Sequence, residues 1–75
     1  MMNVEFGRHL RAWRRVKDKS LEDVAAELGI ERLDLIKIEM GLVQWAIDNP
    51  DKMINVLEVD RELFNETWNG CKNVG

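Results

Sequence analysis

Seventy-five residues leave room for one small domain and no second core. Hydrophobic residues make up 45% and charged residues 33%, and the net charge of −3 speaks against a general polyanion binder. A single cysteine excludes an internal disulfide and suits a reducing compartment, and no apolar run approaches the roughly 18 residues of a membrane span.

The net charge hides a split. Residues 1–20 carry six Lys and Arg against Glu5 and Asp18, a charge of +4. Residues 21–75 carry five against twelve acids, a charge of −7, and the two halves make the −3 of the whole. Such asymmetry points to a polar assembly or an anionic partner, with a solvated basic helix face as the bland alternative. The amino end reaches its cations without a preceding apolar stretch, and no signal peptide is expected there.

The chain reads as short helices. Phe6, Leu10, Trp13 and Val16 form one stripe of a first helix over about Glu5 to Lys17, with Arg8, Arg11, Arg14 and Arg15 on its other face. Ser20 is an N-cap residue, with Asp23 as a short capping-box acid. Leu21, Val24, Ala25 and Leu28 give a second helix over about Leu21 to Leu28, stopped by Gly29. After the turn at Ile30-Glu31, a third helix runs from about Arg32 to Glu39 and stops at Met40-Gly41. Its core stripe is Leu35, Ile38 and Leu42.

The segment from Leu42 to Asn49 has no clear period and reads as a loop. Asp48 or Asn49 can cap a fourth helix with Pro50 in its first turn, carrying Met53, Ile54, Val56 and Leu57. A fifth helix starts at Asp60 and carries Leu63, Phe64, Trp68 and Cys71. The expected fold is all-α, a single domain over residues 1–69, followed by a disordered tail over 70–75.

The capped helix Ser20-Leu21-Glu22-Asp23-Val24-Ala25-Ala26-Glu27-Leu28-Gly29-Ile30, followed by Arg32 to Glu39, has helix-turn-helix construction at about 21–39. It resembles the Cro/C1-type (XRE-type) helix-turn-helix family of bacterial and phage repressors. Restriction–modification controller proteins and small phage repressors are similar to it in size. The same resemblance covers Gly7 to Val16 and the corner Leu57 to Phe64.

That resemblance implies a five-helix, lambda-repressor-like domain, a sequence-specific DNA-binding transcriptional regulator. It also implies a homodimer on a palindromic operator in double-stranded DNA, with the third helix in the major groove. The setting it implies is cytoplasmic, bacterial or phage-encoded, and nucleoid-associated. The DNA-contacting positions would be Ser20, Glu31, Arg32, Leu33, Lys37 and Gln44. Trp45, Phe64 and Trp68 would lie at the dimer interface.

Two departures open a second reading. The family usually has glutamine after the cap serine, where this chain has Leu21. The third helix places Glu31 and Asp34 beside Leu33 and Ile36, with Met40 one turn on. An apolar stripe rimmed by charge suits a protein contact through Leu33, Ile36 and Met40, as in an anti-repressor, an antitoxin-like partner or an oligomerisation subunit. Arg32 suits guanine, the aliphatic pair suits thymine methyls, and the acids suit cytosine amino groups.

Trp13 reads as core. Trp45 reads as packing, interface or DNA contact, and Trp68 with Phe64 as interface or core. His9 has no second ligand near it in sequence, so no metal is expected. Cys71 reads as an idle thiol and Ser20 as a cap. No acid–base pair, phosphate-binding glycine loop or cofactor motif stands out, so neither an enzyme nor a cofactor is expected.

Overall fold

In a computed structural model, which describes residues 1–73, the chain is all-helical. Among the described residues there are six helices: α1 (Val4–Val16), α2 (Leu21–Leu28), α3 (Arg32–Glu39), α4 (Gln44–Asp48), α5 (Pro50–Leu57) and α6 (Arg61–Cys71). No helix is long and apolar enough to cross a membrane.

Local capping sets most boundaries. Asn3 caps α1 by accepting the Phe6 amide N–H at 2.9 Å, and its Nδ2 donates to the Cys71 carbonyl at 3.0 Å. One side chain thereby ties the start of the first helix to the end of the last. Ser20 Oγ accepts the Asp23 amide at 3.0 Å, starting α2. At the other end Gly29 turns left-handed at φ +75, and the Ile30 and Gly29 amides donate back to the carbonyls of Ala25 and Ala26. This is a Schellman stop, which satisfies the last carbonyls of the helix. Gly41 ends α3 in the same way, with the Leu42 and Gly41 amides donating to Lys37 and Ile38.

The short helix α4 fills the segment expected to be a loop, and makes six helices where five were expected. Only Val43 and Ala46 point fully inward there, so too few positions repeat for a period to show. Its end is tied by side chains: Gln44 Nε2 donates to Asp48 Oδ1 at 2.9 Å, and Asn49 Nδ2 to the Trp45 carbonyl at 2.8 Å. Asn49 therefore precedes Pro50 at the N-cap position of α5 without capping it by its side chain.

Phe6 is the centre of the core. Its ring meets Phe64 edge-on at 5.4 Å between centroids, Trp68 at 5.2 Å and Trp13 at 6.4 Å. Leu10, Val24, Leu28, Leu35, Ile38, Met53 and Leu57 complete it. Two expected core positions lie outside: Val16 is 79% exposed and Leu42 is 47% exposed. The inward arc of α1 runs through Phe6, Gly7, Leu10 and Arg14 instead, so Val16 falls beyond its edge.

Gly7 permits the closest helix crossing. A Cβ there would lie 2.7 Å from the Glu39 carbonyl oxygen and 2.9 Å from both the Ile38 oxygen and the Gly41 nitrogen. Beside this crossing, Arg14 is buried rather than part of the basic surface. Its Nε and Nη2 donate to the two Glu39 carboxylate oxygens at 2.7 and 3.1 Å, and its Nη1 to the Lys19 carbonyl at 2.8 Å. The two side chains are 10% and 7% exposed. A bidentate pair of this kind fixes α1 against α3.

The helix continues past Asn69, where a tail was expected, because Cys71 is drawn into the core at 5% exposure. The part of the expected tail at residues 74 and 75 lies outside the described residues.

Candidate nucleic-acid interface

The turn between α2 and α3 leaves one side of α3 outward. Leu35 and Ile38 face the core, and Glu31, Arg32, Leu33, Asp34, Lys37 and Met40 are exposed. Ile36 is half-buried and lines a groove with Leu21, Arg11, Arg15, Met40 and the Arg14–Glu39 pair. Leu21 is itself half-buried, packed against the core beside that groove. Arg11 and Arg15, one turn apart on α1, stand along the edge of the outward α3 face. A spacing of four residues was visible in the sequence, but nothing in it gave their place beside Ile36 and Met40.

The two acids of this face are not equivalent. Asp34 Oδ2 accepts the Glu31 amide N–H at 3.3 Å, closing the first turn of α3. The Asp34 side chain also lines a second groove with Ile30, Lys37, Ile38, Leu42 and Trp45, on the far flank of the helix from Arg11 and Arg15. Glu31 stays exposed at the helix start. Arg32 Nε pairs with Glu22 Oε1 at 3.0 Å, both side chains being mostly exposed. Such a surface pair is worth well under about 1 kcal/mol and opens readily.

Ser20 is exposed with its hydroxyl oxygen on the Asp23 amide, and Gln44 is exposed with its amide on Asp48. Ser20, Arg32, Leu33 and Lys37 are thus accessible on or beside the α2–α3 unit. Gln44 belongs to α4 and lies past the turn that ends α3.

The residues expected at a dimer seam separate. Phe64 is 2% exposed and held between Phe6 and Trp13, so within one chain it is a core residue. Trp68 is half-buried against Phe6, which makes it mainly a core residue. Trp45 is half-buried in the groove beside Lys37, with Lys52 Nζ 5.9 Å from its ring centroid.

His9 is exposed, 6.1 Å from the Trp13 ring centroid, and no group of three or more His, Cys, Asp or Glu able to hold a metal ion occurs among the described residues. Burial, followed by the nearby Glu5 carboxylate, pushes the Cys71 thiol pKa up, so the thiol is held protonated. No family model matches the chain, and neither do any curated protein or solved structure.

Proposed function

We propose that this protein is a sequence-specific DNA-binding regulator with a lambda-repressor-like arrangement, inserting α3 into the major groove as a homodimer. One observation carries the reading: the outward face of α3 is bordered by Arg11 and Arg15 of α1, so exposed cations of the basic first helix stand beside the groove-facing helix. A helix flanked by cations is what a groove between two phosphate backbones accepts.

The residues then divide by task. Arg8, Arg11, Arg15 and Lys37 meet phosphates and supply affinity. Arg32, released from Glu22, donates two hydrogen bonds to a guanine, and Leu33 meets a thymine methyl. The start of α2, capped by Ser20, presents backbone N–H groups to a phosphate. Asp34, turned onto the Glu31 amide and away from the α1 cations, opposes phosphates less than its place in the sequence suggests.

A second reading keeps the scaffold and changes the partner. Leu33 is 57% and Met40 66% exposed, which favours a protein contact through Leu33, Ile36 and Met40. Fluorescence anisotropy with random duplex DNA at low salt separates the two. Binding that Arg32→Ala and Lys37→Ala weaken supports the regulator. No binding at low salt overturns it in favour of a protein partner.

A further inference from the structure

With Phe64 buried in the core and Trp45 and Trp68 half-buried, a different and more exposed surface has the properties of a dimer seam. On the flank of α1 opposite Arg11 and Arg15, an open groove of about 260 Å³ lies between the end of α1 and the α5–α6 turn. Trp13, Val16, Val59 and Leu63 line it. Val16 is the most exposed of the exposed large apolar residues, and Leu63 is 44% exposed.

The rim carries opposite charges on its two sides: Lys17 on the α1 side, and Glu58 and Asp60 on the turn side. Glu58 is engaged by Lys19 at 3.4 Å. Lys17 and Asp60 belong to no ion pair among the described residues. Asp60 stands at the N-cap of α6, yet its carboxylate makes no cap hydrogen bond. The groove thus holds an unpaired cation and an unpaired anion across an apolar floor.

We propose that this groove seats a second copy of the same chain, related to the first by a two-fold axis. A two-fold contact must be self-complementary, each patch bearing both partners of every pair. This patch meets that condition. Lys17 faces Asp60 of the partner subunit, the reciprocal pair forms across the axis, and Val16 and Leu63 fill the space between. The seam lies away from Arg11, Arg15 and the outward face of α3, so dimerisation leaves that face uncovered. The inference deepens the dimeric reading above and rests on it for the symmetry. Its test contains no DNA: a wild type that stays monomeric ends the dimer in both, whereas a dimer indifferent to these substitutions ends this seam alone.

Sedimentation of the full chain decides it. The wild type forms a concentration-dependent dimer, and Val16→Asp weakens it at least about tenfold, as expected for a central apolar contact. Lys17→Glu and Asp60→Lys each weaken it, because each places two like-charged pairs across the axis. Mixing the two variants restores association to within about threefold of wild type, since both cross-axis pairs in the mixed dimer are again opposite in charge. A folding defect in either variant cannot produce rescue in trans. A wild type that stays monomeric to about 0.5 mM overturns the proposal and reassigns the groove to a different partner. A dimer indifferent to Val16→Asp, or a mixture no tighter than its components, overturns it as well.

Discussion

Two glycines lie within helices, one in α1 and one near the end of α6, and the same substitution should move stability in opposite directions at each. Replacing a helical glycine by alanine gains about 0.5–1 kcal/mol from backbone entropy. At Gly70 in α6 a Cβ meets nothing within 4 Å, so Gly70→Ala keeps that gain, reduced to about 0.5 kcal/mol near the fraying end. At Gly7 the Cβ would stand 2.7–2.9 Å from three backbone atoms of the turn that ends α3, against ordinary contact from 3.4 Å. Those atoms must retreat by about 0.5–0.7 Å. They cannot do so singly. The turn is held by the Schellman bonds at Gly41, and the Glu39 side chain is clamped by Arg14.

Overpacking of this kind costs about 1–3 kcal/mol, which exceeds the entropy gain. Gly7→Ala should therefore lose about 1–2 kcal/mol net, lowering the midpoint by roughly 5–15 °C in a domain of this size. Thermal melts followed by circular dichroism compare the two variants with the wild type. A Gly7→Ala protein that melts at or above the wild-type temperature would refute the close crossing of α1 on α3.

Other consequences concern charge, backbone and thiol. Glu39→Ala strands the Arg14 guanidinium in a nearly closed site and should cost about 3 kcal/mol in urea unfolding, whereas Arg14→Met with Glu39→Leu should recover most of that loss; equal losses in both would mean the pair is not buried. Glu58 holds φ +55, so Glu58→Gly should stabilise by about 0.5–1 kcal/mol despite losing an exposed contact to Lys19; a lower melting point would count against the strained turn. Cys71 should react with a thiol reagent only as fast as the native state opens, and rapid native labelling would contradict its burial. Its raised pKa means the unfolded chain loses the thiol proton first. Stability should thus fall as pH rises through and above the ordinary thiol range, and Cys71→Ser should flatten that decline.

What the sequence disclosed was local. Ser20, Gly29 and Gly41 act within a turn of themselves, so the bounds of α2 and α3 could be read from caps alone. Where contacts span the chain, inference by residue type failed. Arg14 looks like its neighbours Arg11 and Arg15, and only the meeting with Glu39, twenty-five residues away, makes it a core residue. Val16 continued the α1 stripe on paper, but it falls outside the inward arc of Phe6, Gly7, Leu10 and Arg14 and is left in the open. For the candidate site the same divide holds. The outward positions of α3 followed from its core stripe, while the placing of Arg11 and Arg15 beside it, and the turning of Asp34 onto the Glu31 amide, needed three dimensions.

The central claim is that α3 and the α1 cations form one DNA-facing surface, and the salt dependence of binding tests it most directly. Four phosphate-meeting cations per protomer, Arg8, Arg11, Arg15 and Lys37, give a log–log slope near −3.6 and an affinity loss of about 150-fold between roughly 50 and 200 mM salt. Arg11→Ala with Arg15→Ala should bring that slope to about −1.8 per protomer while leaving the fold intact, since both side chains are exposed. A slope unchanged by removing both arginines, or no binding to duplex DNA at the lowest salt, would contradict it.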